Sequence, residues 1–159
     1  MKTFKTIFLT LAVIFSFTAC KKEPIIENGT CYGGKLNVIN INVGFLEQQL
    51  VRVFVEFNKN NTMNFTMTGV KFDETMSEID IKIMGVITKK TYDGFTFSLP
   101  QEGLIIPTDM AGAPLQQYNI KEFGGFITVE ELQFGMFCGE CKVSFLGKFM
   151  EPNEPLLMD

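Results

Sequence analysis

From Cys31 onward, apolar and polar positions alternate with a period of two, the spacing of a strand with one buried face. Leu36 and Val38 alternate with Lys35 and Asn37. The apolar parity then passes to Ile39, Ile41 and Val43, which predicts a bulge near Val38-Ile39. Val51, Val53, Val55 and Phe57 form the next set, and Met63, Phe65 and Met67 the one after. Ile79, Ile81, Ile83 and Ile87 alternate with Asp80, Lys82 and Thr88, with Gly85 on the inward parity. Phe95, Phe97 and Leu99 follow, then Leu132, Phe134 and Met136, and finally Cys141, Val143, Phe145 and Phe149 with Gly147 in register. Turn residues separate the runs: Asn58-Lys59-Asn60-Asn61, Tyr92-Asp93-Gly94 and Gly124-Gly125. Only Val43 to Gln49 and the Glu130-Glu131 region could hold a helical turn. Many short strands joined by hairpin loops predict a closed antiparallel barrel or a two-sheet β-sandwich.

Two segments interrupt this pattern. Leu104-Ile105-Ile106 lies between Pro100 and Pro107, and Thr108 to Pro114 reads as a long flexible loop. The start of the chain differs more sharply. Lys2 and Lys5 precede an apolar run from Thr6 to Phe17, too short for a spanning helix, and the leader closes on Phe17-Thr18-Ala19-Cys20. An apolar residue, two small residues and a cysteine resemble the lipobox of bacterial lipoproteins. That resemblance implies cleavage before Cys20 and lipidation of Cys20, whose acyl chains would anchor the protein durably. Lys21 follows the cysteine where an aspartate would favour inner-membrane retention, so the resemblance points to the outer membrane of the cell envelope, with the facing leaflet open. The expected divisions are a signal peptide (1–19), a lipid-anchored tether (20–30), a β-barrel domain (31–150) and a flexible acidic tail (151–159).

Composition narrows the function. The leader takes two lysines with it, so the net charge moves from −4 for the full chain to −6 for the mature one, which argues against nucleic acid as a partner. The chain has no histidine, the commonest general base and metal ligand. It has no tryptophan, yet it holds 17 phenylalanines and 9 methionines, which must either build a core or line an interior space.

Taken in order, several marks between Tyr32 and Phe149 resemble the calycin-like β-barrel lipoproteins of Bacteroidetes-type bacteria. They are Gly34-Lys35-Leu36-Asn37-Val38, the Asn61 to Val70 strand ending in Thr68-Gly69-Val70, and the Ile79 to Val86 strand. Leu104-Ile105-Ile106-Pro107 and the closing Lys142-Val143-Ser144-Phe145-Leu146-Gly147-Lys148 complete the set. The resemblance implies an all-β fold, an antiparallel calycin/lipocalin-like β-barrel of about eight strands. It also implies a small apolar molecule or lipid as ligand.

Cys138-Gly139-Glu140-Cys141 is the one segment that looks chemical. Gly139-Glu140 suits a two-residue II′ turn, placing the cysteines opposite each other at the neck of a hairpin. Cys31 opens the first strand, and the first and last strands of a barrel are neighbours, so a Cys31 disulfide to Cys138 or Cys141 is expected. A bond between Cys138 and Cys141 themselves would close a very small, strained ring; reduced thiols or such a local bond without function, a redox pair and a metal site are the alternatives. Asp73, Glu74, Glu78 and Asp80 around one turn, and Glu130-Glu131, read as solvated turns rather than as a glycosidase or calcium site.

The sequence therefore leads to a non-catalytic protein with no cofactor or metal. Its partners would be the membrane, through lipidated Cys20, and a small apolar molecule or lipid in a cavity lined by Met63, Phe65, Met67, Ile81, Ile83, Phe95, Phe97 and Phe145. The alternative is a filled barrel or sandwich acting as an interaction module, a surface subunit or adhesin, with no internal ligand.

Overall fold

In a computed structural model of the chain, which describes Ile26 and residues 29–99 and 103–157, the period-two segments become eight strands. They are β1 (Thr30–Asn40), β2 (Phe45–Phe57), β3 (Thr62–Val70), β4 (Ile79–Lys90), β5 (Gly94–Ser98), β6 (Ile120–Thr128), β7 (Glu131–Cys138) and β8 (Cys141–Met150). Each pairs antiparallel with its neighbours in sequence, and β8 pairs with β1, so the sheet closes into an up-and-down barrel. Of the barrel and sandwich that the alternation allows, this is the barrel, with the eight strands and calycin-like closure that the resemblance implies. The leader, Cys20 and all of the tether before Gly29 except Ile26 lie outside the described residues.

The meander fixes two ends. At the near end β1 begins and β8 finishes, beside the β2–β3, β4–β5 and β6–β7 turns. At the far end lie the β1–β2, β3–β4 and β7–β8 hairpins and the β5–β6 segment, which carries a single 3-10 turn at Gln116–Tyr118. That segment is not free of the barrel, as its sequence suggested. Ile105 pairs with Ile120, Thr108 with Lys82 and with Pro114, and the Asp109 carboxylate accepts from the Ala111 and Ala113 amides at 2.9 and 2.8 Å.

Alternation places Leu36, Val38, Val51, Val53, Val55, Met63, Phe65, Met67, Ile81, Ile83, Leu132, Phe134, Met136, Val143 and Phe145 inside, all buried. Bulges explain where simple alternation misleads. Gly85, at φ +72°, lets β4 gain a residue against β3, and Asn64 meets the bulge by accepting the Gly85 amide at 3.0 Å. The inward parity thereby passes to Val86, and Ile87 turns outward, 55 % exposed, instead of inward. Glu122, at φ +51°, marks a second irregularity in β6, which makes Phe123 a core residue. Gly124-Gly125 lies within β6 rather than in a turn. A Cβ on Gly125 would run into the Gln133 carbonyl of β7.

The expected bulge at Val38-Ile39 is absent, because β1 keeps an unbroken register with β2 from Thr30 to Asn40. Ile39 faces outward, and Ile41 and Val43 fall in the turn, 85 % and 68 % exposed. The segment from Phe45 to Gln49 is strand, not helix. Ile79 and Phe95 are partly buried and pack against the core. Phe149 holds an inward position opposite Tyr32 but sits at the near rim, half-exposed.

The segment after β8 is also tied down. Arg52 Nη2 donates to the Glu154 carbonyl at 2.6 Å, and Leu156 lies over Gly33, where a Cβ would collide with it and with Met150 Sδ. Residues 151–157 thus fold back over the outer face of β1 and β2. Cys31 faces outward there, yet it is buried.

Candidate functional site

The bore itself is where a ligand would have to sit. Phe65 rises from β3 and Phe134 from β7, strands on opposite sides of an eight-membered ring, and their ring centroids are 6.3 Å apart. Phe97 and Phe123 fill the space beside them, with centroids 4.9 and 5.1 Å from Phe65. Phe123 meets Phe134 edge-on at 5.3 Å, and Phe134 stacks on Phe145 at 5.1 Å. These separations are ordinary aromatic contact. The rings therefore occupy the barrel from wall to wall at mid-height. Met63, Phe65, Met67, Ile81, Ile83, Phe97 and Phe145 are brought together as expected, and all are buried. Phe95 lies nearer the rim, against Phe57 at 4.8 Å. Gly147 belongs to the same packing: a Cβ there would enter the Phe145 ring.

Above the rings, two segments cover the far end. Gln49 points inward from β2, donating to the Lys71 carbonyl at 2.7 Å and accepting its amide at 2.9 Å, which pins the start of the β3–β4 connection. Phe72 then turns onto the Tyr118 ring at 4.7 Å. Its amide donates to Met76 Sδ at 2.9 Å, and the Tyr118 hydroxyl reaches the same sulfur at 3.6 Å. Asp73 caps this turn by accepting from the Thr75 hydroxyl and from the Thr75 and Met76 amides. The Thr75 hydroxyl, followed by these backbone donors, holds the Asp73 carboxyl below the usual carboxylate range.

The cysteine pair closes the cover. Cys138 and Cys141 are paired directly across the β7–β8 turn, whose Gly139 has φ +59° as the II′ geometry requires. Both thiols face inward and are buried. Cys138 Sγ donates to the Tyr118 carbonyl and Cys141 Sγ to the Phe72 carbonyl, each at 3.4 Å. Burial pushes both thiols up, and in Cys141 a hydrogen bond from the Asn40 side chain works against the rise.

The expected Cys31 pairing does not fit this geometry. β1 and β8 are neighbours, as the argument required, but Cys31 opposes Met150, and Cys141 lies nine residues further along β8. At a rise of about 3.3 Å per residue the separation is roughly 30 Å, far beyond disulfide reach. Antiparallel closure puts the first residue of the first strand beside the last of the last strand, so Cys31 belongs to the near end and the pair to the far end. Burial also pushes the Cys31 thiol up, partly offset by the Arg52 guanidinium. Native protein at pH 8 should therefore react with a thiol reagent at all three of these positions at least tenfold more slowly than unfolded protein. A fast native phase would show that a thiol is open to solvent.

Two of the acids, Asp73 and Asp80, have structural work. Asp73 caps its own turn, and Asp80 accepts the Gly69 amide at 2.8 Å, satisfying the bulge between β3 and β4. Among the described residues no group of three His, Cys, Asp or Glu side chains is placed to hold a metal ion. Sequence reasoning missed Gln49, Phe72, Met76 and Tyr118. The visible signals were Gln49 on the apolar parity of β2 and Phe72 just beyond β3.

Outside the barrel, apolar surface concentrates on the β1–β2 hairpin. Ile39 pairs with Leu46 in register, Leu46 is 73 % exposed, and Ile41 and Val43 complete the tip. A groove of about 870 Å³ runs from this hairpin to the β3–β4 turn, between Val43, Leu46, Lys71 and Asp73. Comparison with family models, with curated proteins and with solved structures finds no match to this chain.

Proposed function

We propose that this chain is a lipid-anchored envelope protein whose barrel is a filled interaction module, without an internal ligand and without catalysis. The contact of Phe65 with Phe134 across the full width of the bore carries the reading. An internal ligand needs a chamber of roughly 300–1,000 Å³, and the centre of this barrel holds phenylalanine instead. The apolar-in, polar-out strands are also the inverse of a membrane-spanning barrel, whose lipid face is apolar. Attachment rests on the lipobox-like Phe17-Thr18-Ala19-Cys20, and the calycin-like lipoprotein resemblance remains part of the same proposal.

The proposal includes an orientation. The chain enters β1 at the near end, so a lipid on Cys20 puts that end toward the bilayer. The β1–β2 tip, with Ile41, Val43 and Leu46, then points away from the membrane. Exposed apolar clusters of this kind mark contact surfaces, and in this reading the contact is with a protein.

Native mass spectrometry of protein extracted from the producing cell tests the filled barrel, together with uptake of an apolar fluorescent probe. The expected result is bare protein carrying acyl chains only on Cys20, and no probe uptake. A stoichiometric lipid adduct in the Cys20→Ser protein would restore the ligand-carrier reading. The same variant should stay soluble or unprocessed and leave the detergent phase, since durable anchoring depends on the acyl chains. A photo-crosslinker at Val43 should give a discrete protein adduct, and one at Thr66 should not.

A further inference from the structure

We propose that Cys138 and Cys141 form a dithiol–disulfide switch that releases the cover at the far end of the barrel. Three observations converge on it. The two cysteines are directly paired across a two-residue turn, where Cα atoms lie about 4.5–5.5 Å apart, inside the range a disulfide spans. Both side chains point to the same side, into the barrel mouth. Each thiol also spends its one proton on a different cover segment: Cys138 on the Tyr118 carbonyl after the β5–β6 segment, and Cys141 on the Phe72 carbonyl of the β3–β4 segment.

Oxidation removes both donors together. The Phe72 and Tyr118 rings touch at a tilt, 4.7 Å between centroids, so the two segments lose their thiol partners side by side, and a buried carbonyl without a partner is unfavourable. The segments regain hydrogen bonds by moving into water. Such movement separates the Phe72–Tyr118 pair from the mouth and loosens Met76, which both residues contact. The β7–β8 hairpin keeps its register, because the new bond joins residues that are already opposed.

The oxidant is a disulfide-bearing molecule, either a small dithio compound or an exchange protein. In the sequence considered, Cys141 attacks first: burial raises its thiol, and the Asn40 side chain works against that rise. Its sulfur attacks one sulfur of the oxidant, a mixed disulfide forms, and the other sulfur leaves as a thiolate. Cys138 loses its proton and attacks the Cys141 sulfur, expelling the second thiolate. The protein loses two hydrogens, one disulfide is reduced to two thiols, and the two protons end on those thiols. Because both cysteines are buried, exchange proceeds from transiently opened molecules and is slow until the hairpin mouth breathes.

The experiment uses the full chain carrying Cys31→Ser, equilibrated across a series of reduced-to-oxidised glutathione ratios. Peptide mapping reads the bond, and hydrogen exchange reads the cover. The expected result is an intramolecular Cys138–Cys141 bond accompanied by about tenfold faster exchange in residues 71–78 and 103–119, the loss of roughly one hydrogen bond's stabilisation. The centres of β2 and β3 should stay unchanged. The Cys138→Ser, Cys141→Ser double variant keeps two hydroxyl donors and cannot oxidise, so its cover should remain slow at every ratio. A bond that forms without faster cover exchange overturns the proposal, as does persistence of both free thiols in the most oxidising buffer. Faster exchange in the double variant under oxidant would assign the effect elsewhere and overturn it too. None of these outcomes depends on whether the barrel is an interaction module or a ligand carrier.

Discussion

Ile81→Asp should leave no folded barrel. Ile81 sits mid-strand opposite Met67, fully buried among apolar side chains, and the described neighbourhood offers a carboxylate no cation. An aspartate there must either stay charged in a dry interior or be protonated against its ordinary pKa. Unpaired buried charge is among the most destabilising changes known, about 4–5 kcal/mol or more, comparable to the whole stability of a small domain. Circular dichroism and thermal melting should show loss of the cooperative transition. Thr66→Asp, outward on the adjacent strand and partly exposed, should shift stability by less than about 1 kcal/mol. Equal damage from both would mean that the strand faces are misassigned.

Phe65→Ala should destabilise the protein by about 3–5 kcal/mol while leaving a foldable chain. Phe65 touches Phe97, Phe123 and Phe134, so its removal leaves a void at the centre of the bore that rigid neighbouring rings cannot fully close. Voids lined by apolar side chains stay dry and admit small apolar molecules. The variant should therefore bind an apolar probe that the wild type excludes, measured beside its lowered midpoint in denaturant. Uptake by the wild type at the same level would show that the rings do not block the bore.

Much of this architecture was visible in the chain. Where a strand alternates without interruption, as in β2, β7 and the first half of β8, each inward residue could be named, because a period of two leaves only two faces and one is apolar. The errors gather at positions where the backbone departs from two residues per repeat. Gly85 and Glu122 each add a residue with positive φ, and everything beyond them changes face. Glycine marks such a place only sometimes. Gly85 is a bulge, while Gly125 and Gly147 are regular strand residues that make room for a neighbouring strand or ring, and composition does not separate these roles.

The reverse error occurred at Ile39 to Val43. Their apolar character implies burial, but the unbroken register with β2 turns Ile39 outward and leaves Ile41 and Val43 in the turn. At the site, the Phe and Met stripe is legible as interior, whereas filling is not, since filling depends on which rings meet across the bore from five different strands. The Cys31 pairing failed for a related reason: neighbouring strands were inferred correctly, but direction along the strand decides distance. The far-end cover was hidden because Phe72, Met76 and Tyr118 come from connections without a period.

The closed ring of strands limits how a partner can engage this protein. Among the described residues every strand has a hydrogen-bonded neighbour on both sides, with β8 sealing against β1 where Gly34 faces Gly147, and the shortest seam is the three pairs from Thr88–Phe97 to Lys90–Phe95 between β4 and β5. Strand addition, a common way for sheets to capture peptides or to aggregate, is thereby confined to the stretch of β4 ahead of Thr88, where Lys82–Thr108 is the one described bridge. Elsewhere recognition comes from side chains on the wall or from the hairpin tips. Among the described strands the seam pairs the residues farthest apart in sequence, so its closure carries the largest chain-entropy penalty. Before it forms, β1 and β8 are both bare edges, and the newly made chain is most open to mispairing with a second copy of itself in that interval.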